Sequence, residues 1–255
     1  MTRIAVTGAA GNVGREALSG LSAYEPTVLT HREHPDLEST VFELTDYDSV
    51  ERAIAGHDVV IHLAGNPSPA ADWEGVSGPN IDGTYHVYEA ARAHGVERVV
   101  FASTNHVTQY YNVSDPSRPE SVVETPRAIR PDDPPRPDSY YAVSKLTGEA
   151  LGSYYADRYD IEVVNFRIGW LLTEEDLEEK QREGDGLAHY ARAMWLSPRD
   201  TRHAFRRAVE AELPTSPTTV NVLSRNRDRY LSLTETMCDL GYEPRDDSAE
   251  ALDLL

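Results

Sequence analysis

Short apolar runs alternate with amphipathic stretches along most of the chain. Residues 3–7, 27–30, 40–43, 58–64, 98–103 and 161–167 read as strands. They are nearly continuous in Val, Ile, Leu, Phe and Ala, the pattern of strands buried on both faces rather than on one. Helical periodicity fills the intervals, through Leu18 and Leu21, over 48–55, over 80–93 and over 140–158. Strand and helix in alternation predict an α/β fold, a Rossmann-type doubly wound parallel sheet. Beyond residue 167, Ser197-Pro198 reads as an N-cap and first helical position, opening a helix through Val209. Residues 218–223 read as a further strand, 231–240 as a late helix, and the acidic run 174–179 as a solvated helix face. The expected organisation is one unit over 1–255, with a dinucleotide-binding core at 1–167 and a small substrate-side segment at 168–255.

The first apolar run leads directly into Gly8-Ala-Ala-Gly11-Asn-Val-Gly14. In a strand–turn–helix setting each glycine has its own task. Gly8 permits the tight turn, Gly11 lets a pyrophosphate approach the backbone, and Gly14 lets the helix pack closely on the strand. The free N–H groups at the helix start, around Asn12 and Val13, would then carry the diphosphate. One connection breaks the rhythm: residues 107–138 hold seven of the sixteen prolines and little periodicity. A loop of that length inside a compact domain is usually functional. It is expected at the carboxyl edge of the sheet, where ligands bind in such folds.

Composition changes the picture of partners. Acidic residues number 43 against 24 basic, a formal charge of −19, while 40% of the chain is apolar. That is too hydrophobic for a disordered acidic tail. A folded protein with this charge and few lysines fits a surface adapted to molar salt, where a Debye length of about 3 Å screens self-repulsion. No basic patch is visible, so nucleic acid is not an expected partner. A lone cysteine, Cys238, permits no internal disulfide and fits a reducing, high-salt cytoplasm. No stretch reaches the roughly 20 apolar residues that span a bilayer, and the start of the chain reads as a strand rather than a leader. Asn112-Val-Ser is a formal glycosylation triplet without expected meaning, and no set of residues has metal-ligand spacing.

The chain has only two lysines, and one of them, Lys145, stands four residues after Tyr141. Residues four apart share a helix face. A compact ammonium there differs from the planar fork of an arginine, which supplies 22 of the 24 Lys and Arg residues of this chain.

The glycine turn, the strand end Phe101-Ala-Ser-Thr104 and Tyr141-x-x-x-Lys145 together resemble the extended short-chain dehydrogenase/reductase superfamily. Within it, Phe101-Ala-Ser-Thr-Asn-His106, Phe166-Arg-Ile-Gly169, Ala193-Met-Trp-Leu-Ser197 and Leu240-Gly-Tyr-Glu-Pro244 look like the uronate dehydrogenase group. That group includes haloarchaeal sugar dehydrogenases, and its members oxidise the anomeric carbon of a cyclic aldose to a lactone with NAD or NADP. The resemblance implies Tyr141 as acid/base and Lys145 as the residue that binds the cofactor ribose and lowers the tyrosine pKa. Thr104 would hold the reacting oxygen. It implies Asn105 and His106 as sugar contacts, and Leu44, Leu63, Ala64, Gly65, Asn80 and Ile168 beside the cofactor. It also implies a homodimer or homotetramer built through helices 80–93 and 140–158.

Two departures bear on specificity. The second strand ends in Leu29-Thr-His31-Arg32. NAD-preferring relatives place an acid where His31 stands; His31 and Arg32 could instead attract a 2′-phosphate, so NADP is expected ahead of NAD. Glu43 takes the position beside adenine. Uronate relatives hold the substrate carboxylate with a serine and an arginine at the positions of Trp170 and Tyr190. Replacing a bidentate cation by a phenol removes that anchor, so a neutral aldose such as L-arabinose is expected. Arg192, two residues on, could restore the charge, and Trp170 and Trp195 could be core residues. A uronate or glucose-6-phosphate dehydrogenase, a nucleotide-sugar epimerase or dehydratase, and a non-catalytic dinucleotide-binding protein remain as alternatives.

Overall fold

The computed structural model describes residues 2–115 and 117–254. Met1, Pro116 and Leu255, which the expected unit and loop include, lie outside them. Seven strands form the central sheet: β1 (Ile4–Thr7), β2 (Thr27–Thr30), β3 (Thr40–Val41), β4 (Val59–His62), β5 (Arg98–Thr104), β6 (Glu162–Ile168) and β7 (Thr218–Val222). Their order is β3-β2-β1-β4-β5-β6-β7, and every pairing is parallel. The order reverses between β1 and β4, which opens a crevice at the carboxyl ends of those strands. Every residue of β1, β4 and β5 is buried. The absence of polar alternation in the sequence thus reflects cover on both faces.

The main helices are α1 (Asn12–Gly20), α2 (Tyr47–Ile54), α3 (Gly83–His94), α4 (Tyr140–Tyr159), α5 (Glu174–Lys180), α6 (Asp185–Met194), α7 (Pro198–Glu210) and α8 (Thr234–Leu240); all but α5 supply that cover, and α5 packs its Leu177 against Ala191 and Trp195 instead. One face of the sheet builds a core from Ile4, Val6, Phe166, Phe205 and Leu223. The other builds a second from Ala5, Leu29, Val87, Tyr88 and Tyr155. A π-helical stretch, Ser77–Asp82, leads into α3 and takes Asn80 out of the regular helix expected there. Ser197 caps α7 through its side chain, with Pro198 in the first turn, as the sequence predicts. α5 opens on a capping box between Thr173 and Asp176.

Two elements depart from expectation. The proline-rich connection is folded rather than open. Val113–Asp115 pairs antiparallel with Arg118–Val122, and Arg127 lies 4.4 Å over the Tyr111 ring. Asn112 of the glycosylation triplet is buried, with its amide bonded to both backbone groups of Arg127. The late helix begins at Thr234 because Leu231 bridges to Ile129 instead, tying the connection to the C-terminal segment. Among the described residues no helix is long and apolar enough to cross a membrane.

Candidate active site

A cleft of about 960 Å³ follows the crevice between the β1 and β4 ends. Along its floor run the glycine turn, Leu63 to Asn66 after β4, Ala102 to Thr104 of β5 and Ile168 to Leu171 after β6. Lys145 and Tyr141 enter from the first turns of α4. Ser139 caps that helix by accepting from the Ala142 N–H.

The turn after β1 is built for close approach. Gly8 has φ of +66°, and a Cβ there would lie 2.6 Å from the Ala64 nitrogen. A Cβ on Gly14 would lie 2.5 Å from the Gly8 carbonyl oxygen. Gly11 begins α1 without a side-chain cap, so the first N–H groups of the helix remain available to an anion. Asn12 and Val13 line the cleft there, and His31, Arg32, His34, Glu43 and Leu44 line its far end. The Glu43 carboxylate accepts from the Thr45 N–H and hydroxyl, which holds its pKa below the ordinary value, with His31 nearby adding to the effect.

At the other end, Thr104 and Tyr141 line the cleft together, and the Lys145 ammonium lies 5.9 Å from the Tyr141 ring centre and 5.1 Å from that of Phe101. Burial dominates the titration of both. It pushes the Tyr141 phenol up to about 12, with Thr104 opposing and Asp138 reinforcing the shift. It brings Lys145 down to about 8. The lowered tyrosine pKa that the resemblance implies is therefore not produced by the chain alone. In the protein by itself, desolvation outweighs the neighbouring ammonium.

Several expected contacts are placed elsewhere. Asn80 does not line the cleft: its Nδ2 donates to the Asn66 carbonyl and the Ser144 hydroxyl, and its Oδ1 accepts from the Asn66 N–H. Asn105, His106 and Tyr190 are bonded to one another beside Tyr141. Asn105 Nδ2 donates to the Tyr190 oxygen at 2.7 Å, and Tyr190 meets His106 Nε2 at 3.2 Å. Trp170 does face the cleft, with its ring 5.8 Å from that of Tyr190. Trp195 is core, its indole N–H donated to the Leu172 carbonyl. Arg192 does not restore a charge at the wall, because it is taken by Asp228 and Gln181. Among the described residues no group of three His, Cys, Asp or Glu is placed to hold a metal ion.

A model of the NAD dependent epimerase/dehydratase family matches residues 4–195. The chain belongs to that family. It is 56% identical to an L-arabinose 1-dehydrogenase (NAD(P)(+)) from Haloferax volcanii, over 99% of this chain and 100% of the relative. An NAD-dependent glucose-6-phosphate dehydrogenase of the same organism is 39% identical, over 97% of this chain and 94% of that one. A solved mutated uronate dehydrogenase superposes with a TM-score of 0.82 at 32% identity, over 99% of this chain and 85% of that chain. The likeness to the uronate dehydrogenase group read from the sequence is thus borne out, as is the Rossmann-type sheet.

The structure also brings out residues around the cleft that sequence reasoning did not single out. Thr7, at the end of β1, accepts from the N–H groups of Leu63 and Ala64 and bonds His62 Nδ1 at 2.9 Å. His62 Nε2 meets the Thr84 hydroxyl, which donates to the Asn80 carbonyl. Burial lowers the His62 pKa to about 3, so this imidazole is neutral and its network runs without charge beneath the cleft. Glu149 and Arg167 form a buried two-point ion pair that Ser103 joins, linking α4, β6 and the end of β5. The only signal for these in sequence was their position at strand ends and on the buried stripe of α4. A nicotinamide dinucleotide fits the cleft: the glycine cradle would be filled by any Cβ, and the Lys145 ammonium lines the cavity.

Proposed function

We propose that this protein is an NAD(P)-dependent sugar 1-dehydrogenase that oxidises the anomeric carbon of a neutral aldose, L-arabinose or a similar pentose, to its lactone. The carrying observation is the charge of the cleft at its substrate end. Among the described residues Lys145 is the one Lys or Arg lining that end, and it belongs beside the ribose. The other nearby cations are engaged, Arg192 with Asp228 and Lys180 with Glu183. A carboxylate or phosphate on the sugar would enter without the paired donors that anion recognition uses.

When bound, an oxidised nicotinamide supplies the hydride acceptor and a positive charge. The chain supplies the rest. Thr104 donates a hydrogen bond to the anomeric oxygen, Tyr141 as phenolate takes the hydroxyl proton, and Lys145 holds the ribose and favours the phenolate. Leu63, Ala64, Gly65 and Ile168 give the cofactor an apolar floor, while Trp170 walls the sugar side. His31, Arg32 and His34 favour a 2′-phosphate and thus NADP over NAD. Residues 1–167 serve the cofactor and 168–255 shape the sugar side. We further infer self-association through α3 and α4, whose outer faces expose Tyr85 and Tyr154, and residence in a high-salt cytoplasm. Product analysis tests the reading. L-Arabinose should yield its lactone with one equivalent of reduced cofactor; an epimer formed without net cofactor reduction would contradict it.

A further inference from the structure

The two lysines of the chain are held in different ways. Lys180 is paired with Glu183, whereas Lys145 is buried and has no carboxylate partner among the described residues. A buried charge is costly unless something replaces the water it has lost. What faces this one is aromatic. Its Nζ lies 5.1 Å from the centre of the Phe101 ring and 5.9 Å from that of Tyr141, both within the roughly 6 Å over which a ring face attracts a cation. Tyr141 changes protonation during the reaction; Phe101 offers a ring face that never does.

The fold makes room for that contact. Side chains alternate along β5. Phe101 and Ser103 turn to α4, where they meet Gly148 and Glu149, while Val100 and Ala102 join the core on the opposite face of the sheet. A Cβ on Gly148 would collide with Cζ, Cε1 and Cε2 of the Phe101 ring. Gly148 stands three residues after Lys145, on the same side of the helix, so its missing side chain is what lets the ring reach the ammonium. The titratable groups around Lys145 among the described residues leave the ring unopposed. Tyr141 is on its own helix, His62 of β4 is neutral because burial lowers its pKa to about 3, and Glu149 is closed by Arg167 of β6. We propose that Phe101 is a positioning residue whose ring face seats the Lys145 ammonium, in a recess that Gly148 keeps open, and holds the charge that the ribose and the Tyr141 phenolate require. The seat belongs to the protein by itself; its effect on turnover rests on the sugar dehydrogenase reading.

With only two lysines in the chain, ¹³Cε-lysine labelling gives two signals, and Lys180→Arg assigns them. Mono-, di- and trifluorinated phenylalanine at position 101 weaken the negative ring face while keeping its shape, which a Phe101→Leu cavity would not. Along that series the titration midpoint of Lys145 should fall stepwise, by about one pH unit in all, the scale of a desolvated cation–π contact. Lys180 should hold its own midpoint. At a pH above the Lys145 midpoint the charged fraction, and with it kcat for L-arabinose, should fall by up to about tenfold. A falling midpoint in a protein that oxidises no aldose would sink the functional reading and leave the seat standing. A midpoint that ignores fluorination, or one that moves together with that of Lys180, would overturn the seat; a midpoint that falls while kcat holds would remove Phe101 from the reaction.

Discussion

Lys145 holds its ammonium 5.9 Å from the centre of the Tyr141 ring, one helical turn along the same face of α4 and inside the cleft. Neither group is in its ordinary titration range. Burial raises the phenol and lowers the ammonium, so each is held nearer its neutral form until a bound cofactor changes the field around both.

That arrangement makes Lys145 a cost to the fold. Its pKa falls from 10.5 to about 8. The unfolded chain therefore binds more protons than the folded one between these values, and stability rises with pH across that window. Below it the buried charge costs up to about 3 kcal/mol. Lys145→Met should raise Tm at pH 7, with the gain shrinking as pH climbs through 8 toward 10.5. Thermal unfolding across that range checks it; a lower Tm at pH 7 would contradict the assigned burial cost.

Tyr141 must lose its proton to act as a base, and the chain alone holds that proton to about 12. The rate of sugar oxidation should accordingly increase with pH from neutral into the alkaline range. Tyr141→Phe should lower kcat by about 10²- to 10⁴-fold, the worth of a general base, and leave cofactor binding measured by fluorescence unchanged. A variant that keeps more than a small fraction of the rate removes Tyr141 from the mechanism.

The strands, the glycine turn and the Tyr141–Lys145 pair were legible in the sequence because each answers a local demand. Apolar runs need cover on both faces, Gly8 needs a positive φ, and residues four apart on a helix share a face. The hairpin over Val113–Asp115 and Arg118–Val122 was not, since most of its residues are polar and no hydrophobic alternation marks them. The bonding of the His106 ring was hidden for a different reason. Its partners stand 32 residues away at Asp138 and 84 away at Tyr190. Only the parallel sheet and α6 bring them together, so motif order alone could not show the partners of its ring.

Cofactor choice should lie at the end of β2. His31, Arg32 and His34 line the cleft there, with Glu43 opposite. His31→Asp places a carboxylate where a 2′-phosphate would sit and removes a donor. KM for NADP should rise about tenfold or more, given roughly 1.5–3 kcal/mol for a charge-assisted bond, and KM for NAD should fall or stay. An unchanged NADP to NAD ratio would place the discrimination elsewhere.

The central claim is that the substrate end of the cleft reads a neutral sugar. Steady-state kcat/KM in molar KCl, for L-arabinose against glucuronate and glucose 6-phosphate with each cofactor, tests it most directly. With Tyr190 buried and Arg192 bound to Asp228, L-arabinose should exceed both anions by about tenfold or more, the scale of one absent charge-assisted contact. A preference for either anion would contradict the account.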